Sequence, residues 1–149
     1  GIGIGISIPS LSRSVFFVAF FLLPFISHAA TLTVENTGDE GAGTLRQAIL
    51  DSNASVGVMD TIEFNIPGDG PHTIQPVSAL PTVTDPADIN GYSQPGSSAN
   101  SNALDQGLNT VLQIELDGTN VGADIDGIRI GGCGCGSTVR GLAINRFTR

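Results

Sequence analysis

Asp117, Asp124 and Asp126, with Arg129 and Arg140 close behind them, are the residues whose types and spacing come nearest to a chemical site. Hydrolysis of a polysaccharide needs two carboxylates flanking the scissile bond, one to protonate the leaving oxygen and one to attack or to activate water. Asp124 and Asp126 stand two apart, so on a strand they would share a face. With Gly127 they also form Asp-x-Asp-Gly, a fragment of a calcium loop that lacks the remaining ligands of an EF-hand. A solvated turn between strands explains the same residues with no chemistry at all. The expectation is therefore of no catalytic, cofactor-binding or metal-binding residue, with calcium as the one cofactor the pattern allows.

The other chemically capable residues point the same way. His72 is the only His after the leader described below, and no Gly-x-Ser-x-Gly elbow accompanies it. At the start of a short strand beside Gly70-Pro71 it reads as a surface residue. Cys133 and Cys135 flank a single glycine, and a disulfide there would close a small, strained ring. Two thiols also fall short of the four ligands of a structural zinc site, so two free or loosely paired thiols in a glycine-rich turn are expected. Asn53-Ala54-Ser55 matches a glycosylation acceptor, which matters only on a eukaryotic secretory route.

Several elements must position these groups. Thr31 to Glu35 alternates and is β-branched, which predicts a strand. Gly38 to Gly43 is a turn. Thr44 with Gln47 forms a capping box, and Leu45, Ala48, Ile49 and Ser52 then share one face, so a short amphipathic helix is expected over about 44–53. Arg46 within it should pair with Asp51 or Glu40. From about Asp60 onward helical periodicity disappears, and Gly, Pro, Asn, Asp and Ser punctuate short β-rich runs.

Four of these runs align without gaps: Ile62-Glu63-Phe64-Asn65, Ala87-Asp88-Ile89-Asn90, Ile114-Glu115-Leu116-Asp117 and Leu142-Ala143-Ile144-Asn145. Each reads apolar, variable, apolar, then Asn or Asp, at intervals of 25, 27 and 28 residues. A repeat of this period signals a solenoid. The expected fold is all-β, a right-handed parallel β-helix (β-solenoid) with Asn65, Asn90, Asp117 and Asn145 stacked as a structural ladder. The helix would cap its N-terminal end. No cap follows Arg149, so further coils are expected beyond a C-terminally truncated end. Residues 72–74, 127–130 and 138–140 supply other strands, and 95–102 a projecting loop. A β-sandwich would suit the short strands but would not require the recurrence.

Val15 to Ile26 is an apolar run of twelve residues, Pro24 among them, preceded by Arg13. About 20 residues are needed to span a bilayer, whereas twelve suit the core of a secretory signal peptide. Ser27-His28-Ala29 places small residues at −3 and −1, so cleavage is expected after Ala29. Residues 1–29 are then leader, and 30–149 one domain. The part after Ala29 holds five Arg and no Lys against fourteen Asp and Glu, a net charge of −9. That disfavours nucleic acid, whose binding draws on Lys and Arg to neutralise phosphates, and equally an anionic membrane surface. No transmembrane helix is expected after the leader.

Gly41-Ala42-Gly43-Thr44-Leu45-Arg46-Gln47-Ala48-Ile49 and Asp60-Thr61-Ile62-Glu63-Phe64-Asn65-Ile66-Pro67-Gly68 resemble the N-terminal, CSLREA-type region of bacterial secreted right-handed parallel β-helix proteins. Leu45, Arg46 and Ala48 match the short motif, whereas Gly43, Thr44 and Gln47 depart from its Cys, Ser and Glu. Ile89 to Gly96 is similar to the same group, and the similarity covers most of residues 31–147. The resemblance implies a pectin-lyase-like fold and a secreted or cell-surface location. It does not imply lyase activity, since one fold hosts many functions. The functional expectation is a non-catalytic adhesion, glycan-binding or spacer module whose partner is an extracellular polysaccharide or a cell-surface glycan. Its rival is the N-terminal part of a polysaccharide lyase or glycoside hydrolase with its active site further downstream.

Overall fold

The structure is a computed structural model that describes residues 1–3, 5 and 28–148. The apolar run 15–26 of the expected signal peptide lies outside the described residues. Among the described residues no helix is long and apolar enough to cross a membrane.

The described residues form seven short strands and one α-helix in the order β1 (Thr31–Val34), α1 (Leu45–Ala54), β2 (Asp60–Phe64), β3 (His72–Ile74), β4 (Ala87–Asn90), β5 (Ile114–Asp117), β6 (Thr138–Arg140) and β7 (Leu142–Asn145). They form two parallel sheets, one ordered β1-β2-β4-β6 and the other β3-β5-β7. From β2 onward the chain alternates between the sheets. β2 and β4 are half-buried with period two: in β2, Asp60, Ile62 and Phe64 point inward while Thr61 and Glu63 point out. The inward rows join Val34, Ile74, Ile89, Ile114 and Leu116 in a single core.

The helix belongs to that core. Thr44 caps it, accepting a hydrogen bond from the Gln47 N–H at 3.2 Å and so satisfying one of the unpaired donors of the first turn. The reciprocal half of the capping box does not form: the Thr44 N–H donates to the Gly41 carbonyl at 3.4 Å, and the Gln47 amide donates to Asp51 at 2.8 Å. Leu45, Ala48, Ile49 and Ser52 are buried, and the helix packs on β1 and β2. Arg46 pairs with Asp39 at 2.7 Å rather than with Asp51 or Glu40, and its other N–H groups donate to the carbonyls of Asp39, Ser78 and Ala79.

This architecture corrects the expected all-β right-handed parallel β-helix. The described residues build a small α/β arrangement of two parallel sheets and one helix, and the helix supplies core residues to it. The repeat misled because its four copies do not stack as one ladder. Ala87 lies beside Asp60, not Ile62, so the first interval is out of register by two residues. The second interval joins no pair at all, since β4 pairs with β2 and β6 while β5 pairs with β3 and β7. Only the third holds, with Asp117 beside Asn145. Apolar alternation is common to every half-buried strand, so it matches strands that never touch. Residues 127–130 form no strand; Ile130 makes one isolated parallel bridge to Val83.

Glycine sets one close approach between consecutive turns. Gly91, just past β4, faces Gly141 between β6 and β7, and a Cβ on Gly91 would meet the Gly141 backbone carbonyl far inside van der Waals contact. Only a residue without a side chain lets the two backbones come this near.

Candidate functional site

Two polar constellations stand out, and only one leaves room for a ligand. On the sheet of β3, β5 and β7, Glu115 and Asp117 project from β5 on the side opposite Leu116. Arg146, just past β7, adopts a left-handed backbone with φ 56° and reaches back over both. Its Nε donates to Asp117 Oδ1 at 2.6 Å and an Nη to Glu115 Oε1 at 2.8 Å. Asn145 donates to Glu115 Oε1, Thr73 to Glu115 Oε2, Gln75 to Asp117 Oδ2 and Thr119 to Asp117 Oδ1. Every carboxylate oxygen of the pair thus has a partner. The hydrogen bonds from Arg146 and then Thr119 hold the Asp117 carboxyl well below the usual range. Those from Asn145, Thr73 and Arg146 lower Glu115 in the same direction. A glycosidase acid must keep its proton near neutral pH, which is the opposite requirement. The cluster is built as a clamp that ties β3, β5 and β7 together.

The clamp has a pH signature. Both carboxyls titrate lower in the folded chain than in the unfolded one, so their contribution is complete above about pH 5 and is lost as pH falls through about 4 and below. Lowering the pH from about 7 to about 3 is expected to depress the thermal midpoint of the native chain more than that of Arg146→Ala. Circular dichroism melts of both chains measure this; equal falls would mean the clamp carries no such coupling.

The second constellation is a cavity of about 120 Å³ bounded by Leu80, Thr82, Asp124, Ile125, Asp126 and Arg129. Two backbone bonds set its walls side by side: Val83 N–H to the Arg129 carbonyl at 2.8 Å, and Gly131 N–H to the Val83 carbonyl at 3.0 Å. Asn53 of α1 braces the 82–84 wall, donating to the Thr82 carbonyl and accepting from the Thr84 N–H, both at 2.8 Å. The amide nitrogen that glycosylation of Asn53 would use is therefore already engaged. Asp124 takes a left-handed φ of 60°, a conformation short polar side chains tolerate.

The structure thus brings together Asp124, Asp126 and Arg129 but not the other residues of the expected set. Asp117 belongs to the clamp, and Arg140 pairs with Asp88 at 2.7 Å. The Asn/Asp ladder does not form as a side-chain ladder. Asn65 is exposed at the end of β2. Asn90 and Asp117 each accept from the N–H two residues on, starting the 3-10 turns Gly91–Ser93 and Gly118–Asn120. Asn145 donates to Glu115, not to Asp117 beside it. His72 opens β3, with no partner for its Nε2. Cys133 and Cys135 are free and exposed. Among the described residues no three His, Cys, Asp or Glu side chains gather as a metal-binding group.

Arg146 and Gln94 went unmarked by sequence pattern. Arg146 follows a repeat motif, and only its left-handed backbone aims it at β5. Gln94 is buried, and its amide accepts from the Ile66 N–H and donates to the Ile66 carbonyl, both at 2.8 Å. No protein-family model, curated protein or solved structure matches this chain.

Proposed function

We propose that this chain is exported and serves outside the cytoplasm as a non-catalytic glycan-binding module, with the Asp124–Asp126–Arg129 cavity as its sugar subsite. The observation that carries this reading is the composition of that cavity. Two carboxylates can accept from sugar hydroxyls, Arg129 can donate to them, and Leu80 and Ile125 offer an aliphatic surface to the C–H face of a ring. Its volume of about 120 Å³ is well under that of a drug-sized pocket and suits one small ring. The signal-peptide pattern at 15–26 and the resemblance to secreted bacterial proteins support the location. The net charge of −9 after Ala29 disfavours nucleic acid as the partner.

A sugar ring of roughly a dozen heavy atoms, at about −0.3 kcal/mol per atom, gives an expected dissociation constant near millimolar. Titration of the chain with neutral mono- and oligosaccharides, followed by NMR, measures it. Arg129→Ala together with Asp124→Asn, which keeps a side chain that tolerates the left-handed backbone, is expected to weaken binding by at least about tenfold and leave the unfolding midpoint unchanged, because both residues are exposed. Absence of binding across a broad glycan panel would leave a passive spacer instead. Release of reducing or unsaturated sugar ends would establish the lyase or hydrolase reading.

A further inference from the structure

Asp60 begins β2 at an inward-facing position, beside Ala87, where its neighbours along the strand are Ile62 and Phe64. It is fully buried, with 0% of its surface exposed. One carboxylate oxygen, Oδ1, accepts from the backbone nitrogen of Ala30 at 2.7 Å. The other, Oδ2, is buried and has no hydrogen-bond partner among the described residues. Among the described residues no Arg pairs with it, and the sequence has no Lys. A carboxylate removed from water with a single amide donor is a costly arrangement, and interior charges are ordinarily paired.

Ala30 is held from its other end as well, since its carbonyl accepts from the Thr61 N–H at 2.9 Å. Its nitrogen is thereby fixed against Asp60. His28 and Ala29 immediately before it are exposed. Cleavage between Ala29 and Ala30 would convert the Ala30 amide into an α-ammonium. One N–H would become three, with a positive charge, at the place where the buried carboxylate has an unmet oxygen.

We infer that removal of the leader after Ala29 creates an ion pair between the new α-ammonium of Ala30 and the buried Asp60, which locks β1 onto β2 in the mature protein. The inference rests on the export reading above. Hydrolysis of the Ala29–Ala30 peptide bond supplies the amine; water provides the oxygen of the Ala29 carboxylate, and the amine takes up a proton. The unprocessed chain lacks the cation, so maturation and the final stability of the β1–β2 pair are coupled.

Because residues 30–149 contain no Lys, the α-amino group is their sole primary amine, and on a chain of these residues amine-acylating reagents report on it alone. The full chain is produced in an exporting bacterium, and the recovered protein is sequenced from its N-terminus and then acylated with an N-hydroxysuccinimide acetate ester. Sequencing should begin at Ala30. The folded amine should react at least about tenfold more slowly than that of Asp60→Asn, and fully in denaturant. A second comparator carries one extra alanine before Ala30, which moves the amine away from Asp60 without altering the core; it should react as fast as a free peptide. A different starting residue would overturn the export-and-cleavage reading. A start at Ala30 with equal acylation rates in the native and extended chains would overturn the ion pair alone.

Discussion

Phe64→Ala is expected to lower the unfolding free energy by about 3–5 kcal/mol, a large part of the roughly 5–15 kcal/mol that holds a small domain together. Phe64 is the largest of the fully buried side chains, 1% exposed at the end of β2. Its removal leaves a void among residues drawn from both sheets and the helix, which are anchored by their own hydrogen bonds and cannot collapse fully into it. Phe64→Leu keeps most of the volume and should cost under about 1.5 kcal/mol. Urea unfolding of both variants checks the ordering, with slopes matching the native chain's if the denatured state is unaltered. Similar losses for Leu and Ala would show that ring shape, not filled volume, is what the core requires.

Gln94→Ala is the second, with an expected loss of about 2–5 kcal/mol. Beyond the end of β4 the backbone departs from β2, and side chains take over the pairing. The Ser93 hydroxyl accepts from the Phe64 N–H at 2.7 Å, and the Gln94 amide serves both the N–H and the carbonyl of Ile66 at 2.8 Å. Ile66 and Gln94 are both buried, so water cannot replace the lost partners, and each orphaned group costs about 1–3 kcal/mol. Gln94→Met separates the contributions, because it restores the volume but not the hydrogen bonds. It should lose nearly as much as Gln94→Ala in the same urea measurement. A Met variant close to native stability would assign the role of Gln94 to packing.

The helix was legible in the sequence because its determinants are local. Thr44 caps within one turn, and Leu45, Ala48, Ile49 and Ser52 fall on one face whatever they later meet. The four repeat runs were legible as strands for a similar reason: a half-buried strand shows period two by itself, and β2, β4, β5 and β7 lie on the four runs to within a residue or two. The polar pair Asp124 and Asp126 with Arg129 was legible as a chemical cluster because the residues are close in sequence.

Which strand lies beside which was decided only by the tertiary structure. Parallel partners are far apart along the chain, and apolar alternation does not say whether β4 should meet β5 or β6. That choice follows from how the turns between them fold and from which inward rows fill one core together with α1. The clamp shows the same limit, since Glu115 and Asp117 become partners of Arg146 only because β5 and β7 are neighbours and Arg146 turns left-handed beside them. The amino-acid sequence by itself determined the helix, the strand segments and the acidity of the chain. The tertiary structure decided the register, the two-sheet α/β arrangement, the burial of Asp60 against Ala30 and the walls of the cavity, because each of these depends on contacts between residues that the chain order leaves far apart.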